Sequence, residues 1–417
     1  MTSLSDIGKR IKAASLLVAG THSERREAAL LRLADLILSQ QEGLLEANRA
    51  DLKAGEAAGL TPPLLDRLSL EGRLEAIGAD VRMVAALKDP IGEVFESFER
   101  PDGLKISKHR VPIGVIGVIY EARPNVTVDI AALAIKTANG ALLRGGKEAL
   151  LTNMAFAKLI TQALVEEGLP SDLIHLIETP DRAVIEELLR LHHYIDLIIP
   201  RGGAALHALC REKSTIPVIT GGIGVCHLFV DSEVEWEGAF RVISNSKIRR
   251  PSVCNALETL LVHSAIAVEF IPAIAATLPQ VEFSCDERAF KLLSGQEGVM
   301  AQLAHPSDWD REWLSLKLGI KVVDGITEAI HHIGRHSTGH SDGILTESVQ
   351  NAERFVREVD SAAVYVNAAT CFTDGAQFGL GAEAAVSTQK IHARGPLGLK
   401  ELTSYKWVVQ GTYATRS

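Results

Sequence analysis

The chain predicts an α/β protein built from two doubly wound, Rossmann-like domains and a separate β arm, and three patterns carry that prediction. Between 113 and 231, short apolar runs alternate with helical periodicity; from 232 to 385, strands and helices mix around one cysteine, Cys254. Two alternating stretches, around Leu104 and from Tyr405 to Val409, have little core of their own. Apolar strands joined by helices indicate a parallel sheet covered on both faces. At 417 residues the chain is long enough for two or three domains.

Taken in order, the first hundred residues read as helices. Thr21-His22-Ser23-Glu24 fits a capping box, with the Thr21 side chain accepting from the backbone N–H three residues on. Leu30, Leu33, Ala34 and Ile37 then repeat at helical spacing and give one buried stripe. A second helix covers Glu42 to Ala54 and stops at Gly55, and Pro62-Pro63 opens a third segment. From Phe98 to Pro112, Leu104, Ile106 and His109 alternate with polar neighbours around the turn Pro101-Asp102-Gly103, the pattern of a hairpin or exposed β arm.

The alternating region opens with the apolar run Val115–Tyr120, a loop at Glu121–Asn125 and a helix from Thr127 to Ala138, stopped by Asn139-Gly140, which tolerate positive φ. A strand at Ala141–Leu143, the Gly145-Gly146 turn and a further helix follow. Leu173–Ile177 reads as a strand, and Thr179-Pro180 as an N-cap with proline at the first position of a helix reaching Leu191. Asp196–Ile199 and Ile216–Ile219 complete the series. The boundaries so read are 1–97 with 113–231 for one domain, 232–385 for the second, and 98–112 with 386–417 for the arm.

Composition excludes several classes. Hydrophobic residues make up 47% and charged residues 23%, as in ordinary globular proteins. Aromatic residues are 5% and the formal net charge is -9, which argues against nucleic-acid and anionic-membrane partners. Asp6, Lys9, Arg10 and Lys12 break any signal-like apolar stretch, and no apolar run could span a bilayer. The five cysteines (Cys210, Cys226, Cys254, Cys285, Cys371) are odd in number and lack C-x-x-C spacing, which points to a reducing, cytoplasmic compartment.

Several segments are candidates for chemistry. Gly379-Leu380-Gly381-Ala382-Glu383-Ala384 matches a dinucleotide fingerprint, but no strand runs into it, and a loop is the better reading. Arg201-Gly202-Gly203 and Gly221-Gly222-Ile223-Gly224 follow apolar strands, where glycine serves either a cofactor's approach or tight packing. Arg144-Gly145-Gly146-Lys147 precedes a helix, so its cations suit a phosphate at a helix N-terminus. His331, His332, His336 and His340 invite a metal, but Gly334 and Gly339 interrupt the helix that would align them and no carboxylate stands in register; no metal is expected. Asn245 to Ala256 is the most informative segment: Lys247, Arg249 and Arg250 precede Cys254-Asn255, and nearby positive charge favours the thiolate form of a cysteine.

Val111-Pro112-Ile113-Gly114-Val115-Ile116-Gly117 resembles the P-x-G-V-x-G segment of the aldehyde dehydrogenase superfamily. Tyr120–Thr127, Lys247–Asn255 and Lys390–Pro396 resemble the branch of it that reduces an acyl phosphate, glutamyl 5-phosphate, in proline biosynthesis. The resemblance covers essentially the whole chain. It implies an aldehyde-dehydrogenase-like fold with a cofactor-binding domain, a catalytic domain and a bipartite oligomerisation arm, NADPH/NADP as cofactor, Cys254 as nucleophile, and Glu312 as the residue holding the nicotinamide ribose. It further implies a homo-oligomer supplied by a glutamate kinase. Arg144, Gly145, Gly146, Lys147, Gly202, Gly203, Gly221 and Gly222 are the candidate cofactor contacts. Lys247, Arg249, Arg250, Asn255 and Asn125 are the candidate substrate contacts.

Two departures from the superfamily pattern bear on the reaction. Where hydrolytic members carry a glutamate base, this chain has Ile219-Thr220-Gly221-Gly222, so a thioester at Cys254 would lack a residue to activate water. In place of W-N-F-P stands Glu121-Ala122-Arg123-Pro124, which leaves the oxyanion to backbone N–H groups with or without a side-chain amide. The rival expectations are a hydrolytic aldehyde dehydrogenase and a non-catalytic relative in which Cys254 only packs.

Overall fold

A computed structural model describes residues 3–121 and 123–416. Five helices open the chain: α1 (Leu4–Ala19), α2 (Ser23–Ser39), α3 (Gln41–Ala57), α4 (Pro62–Leu68) and α5 (Leu74–Ala86). The stripe Leu30, Leu33, Ala34, Ile37 is fully buried on α2, which packs on α5 and on the later helix at 150–166. Three local readings are corrected or confirmed here. The N-cap of α2 is His22 without a side-chain bond, because the Thr21 hydroxyl donates backwards to the Val18 carbonyl at 2.7 Å. Helix α3 runs through Gly55, whose missing side chain admits Leu60 and Leu65, and the positive-φ residue beyond it is Gly59. Pro62 opens α4 as expected.

Strands β1 (Val94–Glu99) and β2 (Lys105–Pro112) form the expected hairpin. Then come β3 (Val115–Tyr120), α6 (Asn125–Lys136), β4 (Gly140–Arg144), α7 (Leu150–Glu166), β5 (Ile174–Leu176), α8 (Ala183–Leu188), β6 (Leu197–Arg201) and α9 (Ala204–Lys213). The four strands form a parallel sheet in the order β5-β4-β3-β6. Ile216–Ile219 adds only a bridge, Val218 to Ile198. The positive φ after α6 belongs to Ala138 (56°), while Asn139 instead ties Gly114 N–H and the Leu402 carbonyl with its side chain. Helix α8 starts at Ala183 rather than Pro180, since the Asp181 carboxylate takes the Ala183 N–H in a local turn.

The second sheet is assembled from β7 (Cys226–Val230), α10 (Trp236–Ile248), β8 (Leu257–His263), α11 (Ser264–Thr277), β9 (Glu282–Cys285), α12 (Glu287–Leu293), β10 (Met300–Leu303), β11 (Lys317–Val323), α13 (Ile326–His336), β12 (Ser341–Leu345), α14 (Val349–Glu358) and β13 (Ala363–Val366). Its seven strands are parallel, ordered β10-β9-β11-β8-β7-β12-β13. Its strands are apolar where both faces are covered: β7 and the first six residues of β8 are buried. Short strands β14 (Val386–Ser387) and β15 (Gly395–Pro396) follow, and β16 (Thr403–Gln410) pairs antiparallel with β2 along eight residues. The arm is thus a three-stranded sheet, β1-β2-β16.

The chain divides into two compact units: 1–220 with 379–385 and 396–417, and 221–378 with 386–395. The structural boundary therefore falls at 220 rather than 231, because β7 belongs to the second sheet. The arm belongs to the first unit, whereas 386–395 belongs to the second.

Candidate active site

In open parallel sheets, ligands usually sit beyond the carboxyl ends of the strands, where neighbouring strands connect in opposite directions. In the second unit that point lies between β7 and β12, whose helices lead away to β8 and β13. The predicted nucleophile is elsewhere. Cys254 precedes β8, so it stands at the amino edge of the sheet. The loops entering β7, β8, β11 and β12 gather around it there, and hydrogen bonds stitch them together.

Gly224 is the hub of that gathering. A side chain on it would lie 1.5 Å from the Cys254 carbonyl oxygen, so only glycine allows the two backbones to meet. Its N–H donates to Glu312 Oε1 at 2.9 Å, and the Cys226 thiol donates to the Cys254 carbonyl at 3.2 Å. Thr338 joins the same loop by donating to the Ile223 carbonyl and accepting from Val225 N–H. Cys254 and Glu312 are thereby both tied to one glycine. The segment 219–224 carries no acid.

All five cysteines are thiols, and Cys254 alone is half-buried while the other four are buried. Burial pushes the Cys210 thiol up to about 11 and Cys285 to about 12, and raises Cys226 well above the usual thiol range. Those thiols are poor sources of thiolate. Cys371 is also pushed up by burial, against the pull of nearby Arg249. Asn255, expected to touch substrate, instead clamps the loop after β13: its amide donates to the carbonyls of Cys371 (3.3 Å) and Thr373 (3.0 Å), and its own carbonyl accepts from Thr370. Its side-chain oxygen is buried without a partner.

The three cations before Cys254 separate. Arg249 and Arg250 are exposed. Lys247 is fully buried and paired with equally buried Glu258 at 2.7 Å, so it is corrected from a substrate contact to an internal ion pair. Burial disfavours both charges, lowering Lys247 and raising Glu258, and their mutual attraction opposes this.

The first unit treats its candidates similarly. Arg144 is buried and donates to the carbonyls of Gly145 (3.1 Å) and Pro180 (3.0 Å), while burial lowers its pKa. It is corrected to a loop brace. The N-terminus of α7 already holds an anion, because the Asp51 carboxylate accepts from Leu151 and Thr152 N–H. A side chain at Gly145 would strike Asn153 and Tyr120, so that glycine serves the turn itself, and the Gly146 carbonyl accepts from Ala149 N–H. Gly202 is backed by the Glu121 carboxylate, which accepts from Gly203 N–H at 3.1 Å. Gly221 is pressed against the Val386 carbonyl, and Gly222 has φ 78°. Lys147 is exposed. Asn125 donates to Asp129 at 2.9 Å, and burial pushes Asp129 up to about 7 against the influence of Arg201.

The histidines are corrected in geometry. Helix α13 runs through Gly334, so His332 and His336 do align, with rings 4.4 Å apart, and Asp310 accepts from His336. His332 lies against the rings of His227 and Trp309, and no group of three or more possible metal ligands exists among the described residues. Of the dinucleotide candidates, two residue types suit such a cofactor: the Glu312 carboxylate for ribose hydroxyls, and the exposed Lys147 ammonium for a phosphate. Sequence reasoning placed Gly224 in a glycine-rich candidate loop without foreseeing its contact with Cys254, and passed over Cys226 and Glu258. The signal for Glu258 was present, since a glutamate inside the apolar run Ala256–Val262 demands a buried cation.

Comparison with known proteins matches residues 5–289 to the aldehyde dehydrogenase family. The chain is 54% identical to gamma-glutamyl phosphate reductase of Cronobacter sakazakii, covering 99% of this chain and 100% of the relative. It is 53% identical to the same enzyme of Serratia marcescens, again over 99% and 100%. The crystal structure of gamma-glutamyl phosphate reductase from Thermotoga maritima superposes with a TM-score of 0.96 at 44% identity, covering 100% of both chains.

Proposed function

Because the chain belongs to the aldehyde dehydrogenase family, we propose that Cys254 is the nucleophile of its reaction and that Glu312, Arg249, Arg250 and Lys147 are the polar groups that serve it. The enzyme is an NADP-dependent oxidoreductase that reduces L-glutamyl 5-phosphate to L-glutamate 5-semialdehyde, with release of phosphate, in proline biosynthesis. The observation that carries the assignment of Cys254 is its position as the one solvent-reached thiol, its carbonyl locked by Gly224 and Cys226.

Attack by the Cys254 thiolate on the acyl carbonyl forms the carbon–sulfur bond and expels phosphate. Arg249 and Arg250 supply positive charge for that leaving group. NADPH supplies the hydride that reduces the resulting thioester. Glu312 would hold the ribose hydroxyls, and Lys147 would face the 2′-phosphate. The hemithioacetal then returns its electron pair to Cys254 as the aldehyde leaves. Backbone N–H groups around the loop stabilise the transient oxyanion. With no acid in 219–224, water is not activated against the thioester, and phosphate is the acyl acceptor in the reverse direction.

The reading extends to a cytoplasmic homo-oligomer fed by a glutamate kinase. Support for assembly comes from the arm, whose Phe98, Tyr405, Trp407 and Val409 are exposed on a three-stranded sheet. No helix among the described residues is long and apolar enough to cross a membrane. The deciding assay oxidises glutamate 5-semialdehyde with NADP+ in phosphate-free buffer and then titrates phosphate in. Turnover that requires phosphate is expected; full-rate oxidation to free glutamate without it would identify a hydrolytic enzyme.

A further inference from the structure

Lys247 and Glu258 are each fully buried and pair with one another. Strand register explains how Glu258 reaches its position. Cys226 pairs with Leu257 and His227 pairs with Thr259, so Glu258 is the extra residue of a bulge at the start of β8. Bulges beside functional sites re-aim side chains, and this one brings the carboxylate to two partners. Oε2 meets Lys247 at 2.7 Å, and Oε1 accepts a long bond, 3.4 Å, from Leu314 N–H.

Leu314 is the informative partner. Its φ is 53°, a left-handed conformation that leucine adopts only when its surroundings hold it there. It lies two residues after Glu312, whose carboxylate takes Gly224 N–H, and Gly224 lies against the Cys254 carbonyl. Between them, Trp313 is flanked by Arg311 and Lys317 at 5.0 and 4.5 Å from its ring centre. A closed path therefore runs from the end of α10 through Lys247, Glu258, Leu314, Glu312 and Gly224 to Cys254.

We propose that the Lys247–Glu258 pair is a positioning device that holds the Leu314 turn and thereby sets Glu312 relative to Cys254. Neither residue touches substrate or cofactor. The inference rests on the assignment of Glu312 to the cofactor made above. A buried ion pair is weak support for stability, because desolvation offsets most of the attraction. Burial raises Glu258 and lowers Lys247, so the site accepts two costly charges where apolar residues would pack. Geometry at Leu314 gives those charges a use.

The experiment compares two double variants of the full-length enzyme, Lys247→Met with Glu258→Gln and Lys247→Met with Glu258→Met. Glutamine keeps an acceptor for Leu314 N–H and methionine does not. The methionine pair should raise the KM for NADP+ at least about tenfold, and the glutamine pair by no more than about threefold, the difference reflecting one buried N–H left without a partner. Melting temperature and the alkylation rate of Cys254 report whether the fold and the nucleophile loop survive. In a Glu312→Gln background the effect of the methionine pair on KM should largely vanish, because both changes act on the same interaction.

Equal KM values for the two folded double variants, or full additivity with Glu312→Gln, overturn the proposal. If the methionine pair does not fold, Glu258→Asp replaces it. Aspartate keeps the charge but shortens the reach to Leu314, so the same rise is expected and an unchanged KM overturns the proposal. A Glu312→Gln enzyme with parental KM for NADP+ overturns the cofactor assignment and this inference with it, whereas turnover without phosphate would strike at the reaction assignment alone.

Discussion

Two loops of this protein look alike in sequence and are used differently. Arg144-Gly145-Gly146-Lys147 and Lys247-Ile248-Arg249-Arg250 both place cations at a turn next to a candidate ligand site. In each, the first cation is buried and the later ones are exposed. Arg144 donates to two backbone carbonyls through its terminal nitrogens, while its Nε is buried without a partner, so it braces its own loop. Lys247 meets a carboxylate and through it a strained turn beside Glu312. A cation's neighbours in sequence say that charge is needed nearby; its burial says whether that charge serves a ligand or the chain.

The largest expected effect separates Cys254 from the other thiols. Cys254→Ala should lower kcat by at least about 10⁴-fold, as expected for loss of a covalent nucleophile, with melting temperature and NADPH binding retained. Cys226→Ala should keep part of the activity, because Gly224 still holds the Cys254 carbonyl. Substantial turnover by the first variant would move the nucleophile elsewhere.

Next, the cations before Cys254 should divide by burial. Arg249→Gln and Arg250→Gln should each raise the KM for phosphate in the oxidative direction by about tenfold, since each removes a charge-assisted hydrogen bond to that anion, at parental stability. Lys247→Met leaves Glu258 buried and alone, and should cost about 3–5 kcal/mol of stability. Denaturant midpoints and initial rates measured on the same samples decide this, and a stable Lys247→Met would break the comparison.

A smaller effect tests the first loop. Lys147→Ala should raise the KM for NADPH by about fivefold and leave that for NADH unchanged, as for one exposed phosphate contact. Arg144→Ala should lower the melting temperature without changing the ratio of the two. If Arg144 instead controls that ratio, the assignment of the buried guanidinium to the loop is wrong.

The smallest effect is a slope. His332 is buried and neutral, its pKa lowered to about 2 chiefly by desolvation, and His340 is lowered to about 4 for the same reason. Between roughly pH 4 and 6.5 the unfolded chain binds a proton at each that the folded chain refuses, so stability from each rises with pH by about 1.4 kcal/mol per unit. Asp129 and Glu258, raised by burial, act in the opposite sense over much of that window. The parent's slope is therefore a partial cancellation, and the informative quantity is a difference. Relative to His332→Phe, the parent should lose stability as pH falls below about 6.5, by that same slope. A constant difference across roughly pH 4–7 would mean that His332 takes up its proton in the folded state as readily as in the unfolded chain.

Much of the fold was legible because its signals are local. Val115–Tyr120 is β3 residue for residue, and the hairpin around Pro101-Asp102-Gly103 and the tail strand appear where alternation put them. Local chemistry failed where two local partners compete. The Thr21 hydroxyl chose a carbonyl behind it over an N–H ahead, and the Asp181 carboxylate delayed α8. Gly55 and Gly334 were read as breaks, yet both lie inside helices, Gly55 because close packing by Leu60 fills the place of its side chain.

The sequence by itself determined the fold class, the parallel sheets and the cations that precede Cys254, the proposed nucleophile, because periodicity, turn residues and charge act over a few residues. Only the tertiary structure decided which cations and carboxylates face outward. Asp51 and Glu121 occupy the sites at α7 and α9 that the pattern offered to a ligand, and Glu258 claims Lys247. Gly224 became necessary only when the Cys254 backbone was laid against it. The physical reason is common to all of these. A buried charge or a backbone in close contact must be satisfied by whatever the fold brings beside it, and those partners lie between 11 and about 100 residues away along the chain.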